Sequence, residues 1–430
     1  MKMTTQIELA RAGDSVTAPM SWRHVLVIVT GCMMTFGCAA LGFSTWGLFQ
    51  PVVSDALGVP KTEFALYITI MYLTMTAFSP FAGKILQKKD VRIVLTAAAC
   101  LVSLSFLLTS FTTHIWVFYI AGVLLGMGEI FILWLAMPTL INNWFVKRSG
   151  MILGVCMAFT GVGGAVWSTV FTVLLHDGTD FHMIYRLWAV IALVTAVPFT
   201  LFCLRSKPSD VGLLPYGASS ERGTAADPTR GLSAELAMRS PVFYALCLFA
   251  GVINFIVLIA MQFPTYIKQL SGVTFDVLIV GGIMATVVMV GQAIGKVSIG
   301  SVADRSARGA LVFAVSAGAV GIVLSWLGFR SQYVLYSGAF IFGFFYATAL
   351  VLVPVMARQI FGVREYPVIY SRVSTVFNFI AAFASVTWAF IGTNYGFSVV
   401  FTVGLVLLAV VLGFGFYILS KSQATQAQWG

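Results

Sequence analysis

The chain has 430 residues, of which 59% are hydrophobic and 9% are charged, and its formal net charge is +10 at pH 7. A soluble domain carries about 25% charged residues, and a chain of this length cannot build a core that would bury so much apolar surface in water. The composition therefore excludes an ordinary soluble protein. It predicts an all-α membrane protein, because helices satisfy their backbone polar groups within lipid.

Apolar runs long enough to cross about 30 Å of hydrocarbon occur twelve times, in two groups of six. The predicted spans lie near His24–Leu48, Phe64–Leu86, Ile93–Phe111, Ile115–Ile141, Gly150–Leu175, Tyr185–Leu204, Val242–Tyr266, Phe275–Val302, Ala310–Phe329, Tyr333–Ala357, Tyr366–Asn394 and Phe397–Leu419. This pattern predicts five segments: an N-terminal tail 1–21, a six-helix half 22–204, a linker 205–240, a second half 241–420 and a C-terminal tail 421–430.

The basic residues fall on one side of this arrangement. If the N-terminus is inside, the external loops hold only Lys61, Lys268 and Arg330. The cytoplasmic segments hold Lys2, Arg11, Arg23, Lys84, Lys88, Lys89, Arg92, Lys147, Arg148, Arg205, Lys207, Arg222, Arg230, Arg239, Arg305, Arg308, Arg358, Arg364 and Lys421. This asymmetry follows the positive-inside rule and predicts a cell-membrane protein with both termini in the cytoplasm. Because the positive charge is spread along one membrane face, we expect no nucleic-acid partner.

The two halves resemble repeats of each other. Pro138, Phe145 and Arg148 have counterparts in Pro354, Phe361 and Arg364, since 354 − 138, 361 − 145 and 364 − 148 all equal 216. Gly83 and Gly300 likewise precede charged or polar turns, and 300 − 83 equals 217. Two parallel six-helix halves joined by a long linker are a known layout of secondary transporters.

With these motifs the sequence resembles the major facilitator superfamily, whose members carry a Gly-x-x-x-Asp-Arg motif after spans two and eight. The second copy is well preserved, whereas Gln87 stands where the first copy should have an aspartate. The resemblance implies the major facilitator fold and a gate at the inner ends of the helices. The gating residues it implies are Gly83, Lys88, Arg92, Gly300, Asp304, Arg305 and Arg308.

Two shorter stretches, 143–164 and 204–217, are similar to the oxalate/formate antiporter and monocarboxylate porter branch of this superfamily. In that branch a basic residue in span eight, four residues before the motif glycine, binds the substrate carboxylate. Lys296 has this spacing from Gly300. The alternative for Lys296 is that its long side chain reaches water at the inner surface.

Two further charged residues lie inside spans, where ionisable groups are costly and are functional candidates. Glu129, near the centre of span four, is expected to carry a proton or to meet a basic group across the cavity; the alternative is a structural hydrogen bond to a neighbouring helix. Arg372 in span eleven matches a second basic position of the branch, and its alternative is again contact with the inner surface. Trp134, Asn254 and Tyr346 are candidates for orienting substrate.

The sequence therefore predicts a secondary transporter that moves a small organic anion by alternating access, through proton symport or exchange. An alternative is proton-coupled efflux of a hydrophobic or cationic compound, for which Glu129 would be the counter-charge. A membrane enzyme is disfavoured, because no nucleophile–base pair, His/Cys ligand set or ATP-binding loop is found. We expect a monomer in the lipid bilayer, with a small-molecule substrate and neither a cofactor nor a metal. The six cysteines all lie in apolar runs, which predicts free thiols.

Overall fold

The computed structural model describes residues 18–218 and 230–429, so most of the predicted N-terminal tail and part of the linker lie outside the described residues. Twelve helices in the described ranges are long and apolar enough to cross a membrane. We label these α1–α12 in chain order: Trp22–Ser44, Glu63–Lys88, Val91–Thr109, Ile115–Trp144, Ser149–His176, Phe181–Cys203, Pro241–Gln269, Ile279–Ala303, Ala307–Leu327, Gln332–Phe361, Tyr366–Asn394 and Phe397–Gln426. The prediction of an all-α membrane protein with twelve spans is confirmed.

Some helix ends differ from the predicted bounds. The first span ends at Ser44, and a separate helix, Trp46–Leu57, follows it and stops at Gly58, whose φ of 64° is left-handed. At the other end of the chain, α12 continues to Gln426, past the predicted boundary at 420. An apolar run marks only the part of a helix that crosses the hydrocarbon layer. The helix itself can continue into the polar layer, as α12 does with its polar residues 421–426.

The ends of equivalent helices repeat with a constant offset. α4 and α10 begin at Ile115 and Gln332 and end at Trp144 and Phe361, and both differences (332 − 115 and 361 − 144) equal 217. α5 and α11 begin at Ser149 and Tyr366, which are again 217 residues apart. The helices thus repeat as two sets of six.

Four equivalent helices, α1, α4, α7 and α10, are irregular in mid-span. The hydrogen bonds of α1 and α4 widen to the π-helical pattern over Thr35–Ser44 and Ile130–Ala136. In α7 the helix tightens to a 3₁₀ turn over Leu258–Gln262, and α10 is interrupted between Tyr346 and Thr348. Such departures are frequent at functional sites, and here they recur at matching depths in both halves.

The two halves pack against each other through α5 with α8 and through α2 with α11. The close contacts of both pairs include the end of the bundle that carries the loops after α2, α4, α8 and α10. Most of the Lys and Arg residues lie at this end, and we call it the basic end. A Cβ on Gly300 of α8 would lie 2.1 Å from the carbonyl oxygen of Gly150 of α5, so these two helices touch backbone to backbone.

The described parts of the linker pair with loops of both halves at the basic end. The backbone N–H of Tyr216 donates to the oxygen of Trp144 at 2.9 Å, next to an isolated bridge between Tyr216 and Phe145. The N–H of Leu232 donates to the oxygen of Phe361 at 2.9 Å, next to a bridge between Gly231 and Gly362. Each side of the linker is therefore joined to one half at an equivalent position.

Candidate functional site

Lys296 lies at the interface between the halves, and its side chain has no exposed surface. Its Nζ donates to Oγ1 of Thr160 at 2.6 Å and to Oε1 of Gln292 at 2.8 Å. Gln292 is one helical turn earlier on α8, whereas Thr160 belongs to α5 of the other half. The Lys296 side chain therefore links the two halves through the Thr160 hydroxyl, and both of its acceptors are neutral oxygen atoms.

The surroundings of Lys296 are closely packed. A Cβ on Gly154 would lie 2.2 Å from the Lys296 carbonyl oxygen, so α5 and α8 leave no room between their backbones. No carboxylate forms an ion pair with Lys296 among the residues that the structure describes. The alternative, in which this lysine reaches surface water, does not fit a fully buried Nζ. A buried cation without a counter-charge is electrostatically destabilised, and binding an anion would relieve that cost.

Glu129 lies within the N-terminal half and forms no ion pair with Lys296 among the described residues. It immediately precedes the π-helical segment of α4, its side chain is fully buried, and neither carboxylate oxygen has a hydrogen-bond partner in the described ranges. A Cβ on Gly42 of α1 would lie 3.1 Å from Oε1, and Cys38 and Tyr67 are within electrostatic range. The alternative role for Glu129 was a structural hydrogen bond to a neighbouring helix. The described residues contain no such hydrogen bond.

Two of the substrate candidates meet at Phe377 of α11. The ring of Trp134 contacts the Phe377 ring with centroids 4.3 Å apart, and Nδ2 of Asn254 donates to the Phe377 oxygen at 3.3 Å. The indole Nε1 of Trp134 is buried and unpartnered within the described chain. Tyr346 instead lies near Tyr72 of α2. Phe377 and Tyr72 were not candidates, because nothing in the sequence separates them from other aromatic residues.

Arg372 lies on α11, beside the contact with α2, and is half-buried. Its neighbour Ser371 accepts a hydrogen bond from Oγ of Ser79 at 2.6 Å through the backbone oxygen, but Nε of Arg372 is buried without a partner in the described residues. The structure does not bring Arg372 to the Lys296 partners. Arg358 of α10 was missed by the sequence analysis, although it also has a buried, unpartnered nitrogen, Nη1, and lies within electrostatic range of Asp304.

The motif after α8 joins the halves at the basic end. Oδ1 of Asp304 accepts the N–H of Gly150 at 2.7 Å, and Oδ2 accepts the N–H of Met151 at 2.8 Å. These two N–H groups belong to the first turn of α5, where the helix has no internal acceptors for them and where a negative charge is favoured. Asp304 therefore caps a helix of the opposite half, and we call this contact the Asp304 latch.

The equivalent contact after α2 has a different basis. Gly83 packs on α11, where an added Cβ would lie 2.3 Å from Oγ of Ser371 and 2.6 Å from the oxygen of Pro367. The repeat offset of 217 makes Gln87 the counterpart of Asp304 and Pro367 the counterpart of Gly150. Proline has no N–H to donate, so both the acceptor charge and one donor of the latch are missing. Small residues in close contact hold this side instead.

The other gating candidates act locally or face solvent. Lys88, Arg305 and Arg308 are exposed, and none forms an ion pair within the described chain. Arg92 pairs with Asp90 at 2.9 Å, and Ser206 of the linker donates to the same carboxylate at 2.7 Å. Burial acts to raise the pKa of Asp90, but the hydrogen bonds from Arg92 and Ser206 outweigh it and hold the pKa below its ordinary value.

Restoring the aspartate of the first motif should not rebuild a latch. We expect Gln87→Asp to leave the ratio of open to closed states at the basic end nearly unchanged, because Pro367 has no N–H and the N–H of Val368 already bonds to Glu365. Asp304→Asn should destabilise the closed state by about 1 kcal/mol, the effect of a charge on a helix terminus. Spin-label distances across the basic end would compare the two variants. An equally large change in Gln87→Asp would contradict this explanation.

The sequence matches the family model of the Major Facilitator Superfamily over residues 32–291 and 279–428. Among curated proteins it is similar to the uncharacterized MFS-type transporter YhjX of Escherichia coli (strain K12), with 23% identity over 340 residues that cover 76% of this chain and 79% of that protein. It is also similar to the multidrug resistance protein MdtG of Rahnella sp. (strain Y9602), with 26% identity over 296 residues and 67% of both chains.

The fold is similar to solved transporter structures. The Escherichia coli fucose:proton symporter FucP aligns with a TM-score of 0.70 and 12% identity, over 92% of this chain and 99% of that one. The human organic anion transporter MFSD10 aligns with a TM-score of 0.67 and 13% identity, over 91% and 99% of the two chains. The family model covers both halves of the chain, and the described residues form twelve candidate membrane helices that repeat as two sets of six. The chain therefore belongs to the Major Facilitator Superfamily and is a membrane transporter.

Proposed function

We propose that the protein is a secondary transporter that moves a small organic anion, a mono- or dicarboxylate, by proton symport or by exchange. The observation that carries this proposal is Lys296, a fully buried cation at the interface of the halves with only neutral oxygen partners. Its spacing from Gly300 is also the one expected for the oxalate/formate and monocarboxylate branch.

In the proposed mechanism the halves rock about the buried interface. Opening of the basic end separates α5 from α8 and removes Thr160 from Nζ of Lys296, since these groups belong to different halves. A substrate carboxylate that enters from that side then takes the place of the Thr160 hydroxyl as acceptor for Lys296. A hydrogen bond between two charged groups is stronger than one to a neutral acceptor. Closure of the Asp304 latch follows when the opposite side opens.

We assign the basic end to the cytoplasm, which places both termini and the linker inside and the protein in the cell membrane as a monomer. The asymmetry of Lys and Arg supports this orientation. Arg372, Trp134, Asn254 and Tyr346 are proposed to contact the substrate at a different stage from Lys296, because in this state they lie in other contacts.

Efflux of a hydrophobic or cationic compound is the second candidate, and it is favoured by the similarity to MdtG, which is named a multidrug resistance protein. Glu129 would then be the counter-charge for the substrate. Its carboxylate packs against Gly42 inside the N-terminal half, whereas Lys296 lies where the halves must separate. This difference in position favours the anion.

A thermal-unfolding screen of the purified protein separates the two candidates. A ligand that binds only the folded state adds about 2.7 kcal/mol of stability at a concentration of 100 Kd. We expect small carboxylates to raise the unfolding temperature and lipophilic cations of similar size to leave it unchanged. Stabilisation by the cations alone would replace the anion proposal with efflux.

The proposed proton site gives a separate prediction. An unpaired carboxylate in an apolar interior favours binding a proton over remaining an isolated charge. Glu129→Gln keeps the shape of the protonated group and removes the exchangeable proton, so we expect substrate uptake in proteoliposomes to lose its stimulation by a pH gradient. Glu63→Gln, at an exposed position in the first turn of α2, is the matched control. Gradient-driven uptake that persists in Glu129→Gln would exclude Glu129 as the coupling group.

A further inference from the structure

An open apolar groove runs along α2 on the lateral face of the N-terminal half. It has a volume of about 490 Å³ and is lined by one face of α2, from Ile70 to Phe81, and by Met127 of α4. The lining residues of α2 recur every three or four positions, which places them on one side of the helix. Leu73 and Phe81 are 38% and 62% exposed, so the groove opens towards the surrounding lipid. We call it the α2 groove.

The α2 groove forms where the backbones of α2 and α4 no longer touch. A Cβ on Gly126 of α4 would lie 2.6 Å from the oxygen of Met71, so the two backbones are in contact there. About two turns further along α2, the contact is instead between the rings of Phe78 and Phe131, with centroids 5.9 Å apart. Because rings occupy this contact, the helices are further apart and leave space beside Phe78.

Exposed lysines continue the α2 groove towards the basic end. Lys84 and Lys88 lie three and seven residues after Phe81, on the same side of α2, and Lys89 follows the end of the helix. None of these three lysines forms an ion pair among the described residues. The acidic residue nearest to them in the sequence, Asp90, pairs with an arginine instead. The groove therefore ends in uncompensated positive charge.

The depth of the α2 groove matches the acyl chains of one leaflet. An exposed lysine near a helix end keeps its ammonium group at the membrane surface, which places Lys84 there. A helix rises about 1.5 Å per residue, so Thr74, ten residues earlier, lies about 15 Å from Lys84 along the axis. Half of the hydrocarbon layer is also about 15 Å thick. The groove between Thr74 and Phe81 thus lies within the leaflet at the basic end.

We propose that the α2 groove binds one anionic phospholipid, with an acyl chain against Phe78 and Phe81 and the phosphate at Lys84 and Lys88. Basic residues next to a membrane-spanning helix attract anionic head groups, and the apolar groove gives the attached chain a fixed position. The lipid lies on the side of α2 opposite Gly83, which packs on α11. The proposal therefore does not depend on the transported substrate.

The altered motif after α2 fits this role. Gln87 is the counterpart of Asp304, and a carboxylate at residue 87 would weaken the attraction of the neighbouring lysines for a phosphate. The equivalent face of α8 lacks the other elements of the site, since Ser298 and Ser301 are the counterparts of Phe81 and Lys84. The aromatic wall and the lysines thus occur together only in the N-terminal half.

Native mass spectrometry of the delipidated full-length protein tests the charged part of the site. We would add dioleoyl phosphatidylglycerol or dioleoyl phosphatidylethanolamine, which has the same chains and no net charge. One phosphatidylglycerol should bind in preference. Lys84→Gln combined with Lys88→Gln should weaken its binding about 25-fold, about fivefold for each lysine. Lys421→Gln, at an exposed position near the end of α12, is the matched control and should bind as the parent does.

Filling the groove tests its apolar part. Ala77 is exposed within the groove, so Ala77→Phe occupies the space without disturbing the core and should abolish preferential binding of phosphatidylglycerol. Ala409→Phe, at an exposed position of α12, is the matched control. Thermal unfolding reports whether each variant is folded.

Several results would overturn the proposal. One is equal binding of the two lipids by the parent, and another is unchanged affinity in the folded double lysine variant or in Ala77→Phe. Competition by inorganic phosphate at the same concentration as the lipid would show that the lysines bind phosphate without an acyl chain. A dimer of the parent that Ala77→Phe dissociates would assign the groove to a second copy of the chain.

Discussion

Replacing Lys296 with methionine should abolish anion uptake without destabilising the protein. Nζ of Lys296 is fully buried, and its two acceptors are neutral, so the ammonium contributes desolvation cost without a compensating charge. Exchanging buried charges for apolar side chains of similar volume is often neutral or stabilising by about 1–4 kcal/mol. Thr160 keeps a partner in the variant, because its hydroxyl also donates to the oxygen of Met157 at 2.9 Å.

Uptake of a labelled carboxylate into proteoliposomes and thermal unfolding of the same preparation would measure both effects. We expect uptake at the level of protein-free liposomes and an unfolding temperature equal to or above that of the parent. Lys421→Met, at an exposed position near the end of α12, is the matched control and should transport normally. A Lys296→Met protein that transports normally would remove Lys296 from the site, and one that unfolds early would make its role structural.

Replacing Gly300 with alanine should force the basic end open. The new Cβ would lie 2.1 Å from the oxygen of Gly150 and 2.6 Å from its carbonyl carbon. Backbone atoms cannot move aside as a flexible side chain can, so α5 and α8 must separate and the Asp304 latch lengthens. Inserting a methyl group into a packed contact costs about 1–3 kcal/mol, which shifts the ratio of states about fivefold to 150-fold.

The distance between spin labels at Lys147 of the N-terminal half and Arg239, two residues before α7 of the C-terminal half, would report this shift, since both positions are exposed at the basic end. We expect a longer mean distance and slower uptake in Gly300→Ala. Gly282→Ala is the matched control on the same helix, because a Cβ added at Gly282 would meet no other atom within 4 Å. Its distance distribution and uptake should match those of the parent. If the two variants give the same distance distribution, the contact at Gly300 does not control the gate.

Much of the fold was predictable because lipid restricts what the chain can form. Apolar runs of about 20 residues have only one solution for their backbone groups in hydrocarbon, and the repeated Pro138–Phe145 and Pro354–Phe361 spacing reveals the two halves. The break at Thr45 and the extension of α12 to Gln426 were not predictable. The break lies inside the apolar run that predicts the first span, and the extension consists of polar residues, so hydropathy indicates neither.

The candidate site was predictable only in part. Lys296 and Glu129 attract notice because charges are costly within a membrane, and Gln292 follows from its position four residues before Lys296 on one helix face. Thr160 is far away in the sequence, and its contact with Lys296 exists only because the halves pack together. The expected contact of Glu129 with a basic group across the cavity has no counterpart among the described residues, where Glu129 forms no ion pair.

The pairing of the linker with the loops after α4 and α10 has a mechanical consequence. Tyr216 is hydrogen-bonded to the N-terminal half and Leu232 to the C-terminal half, so each side of the linker travels with its own rigid body. In the proposed mechanism the halves can then rock against each other without breaking either set of backbone hydrogen bonds.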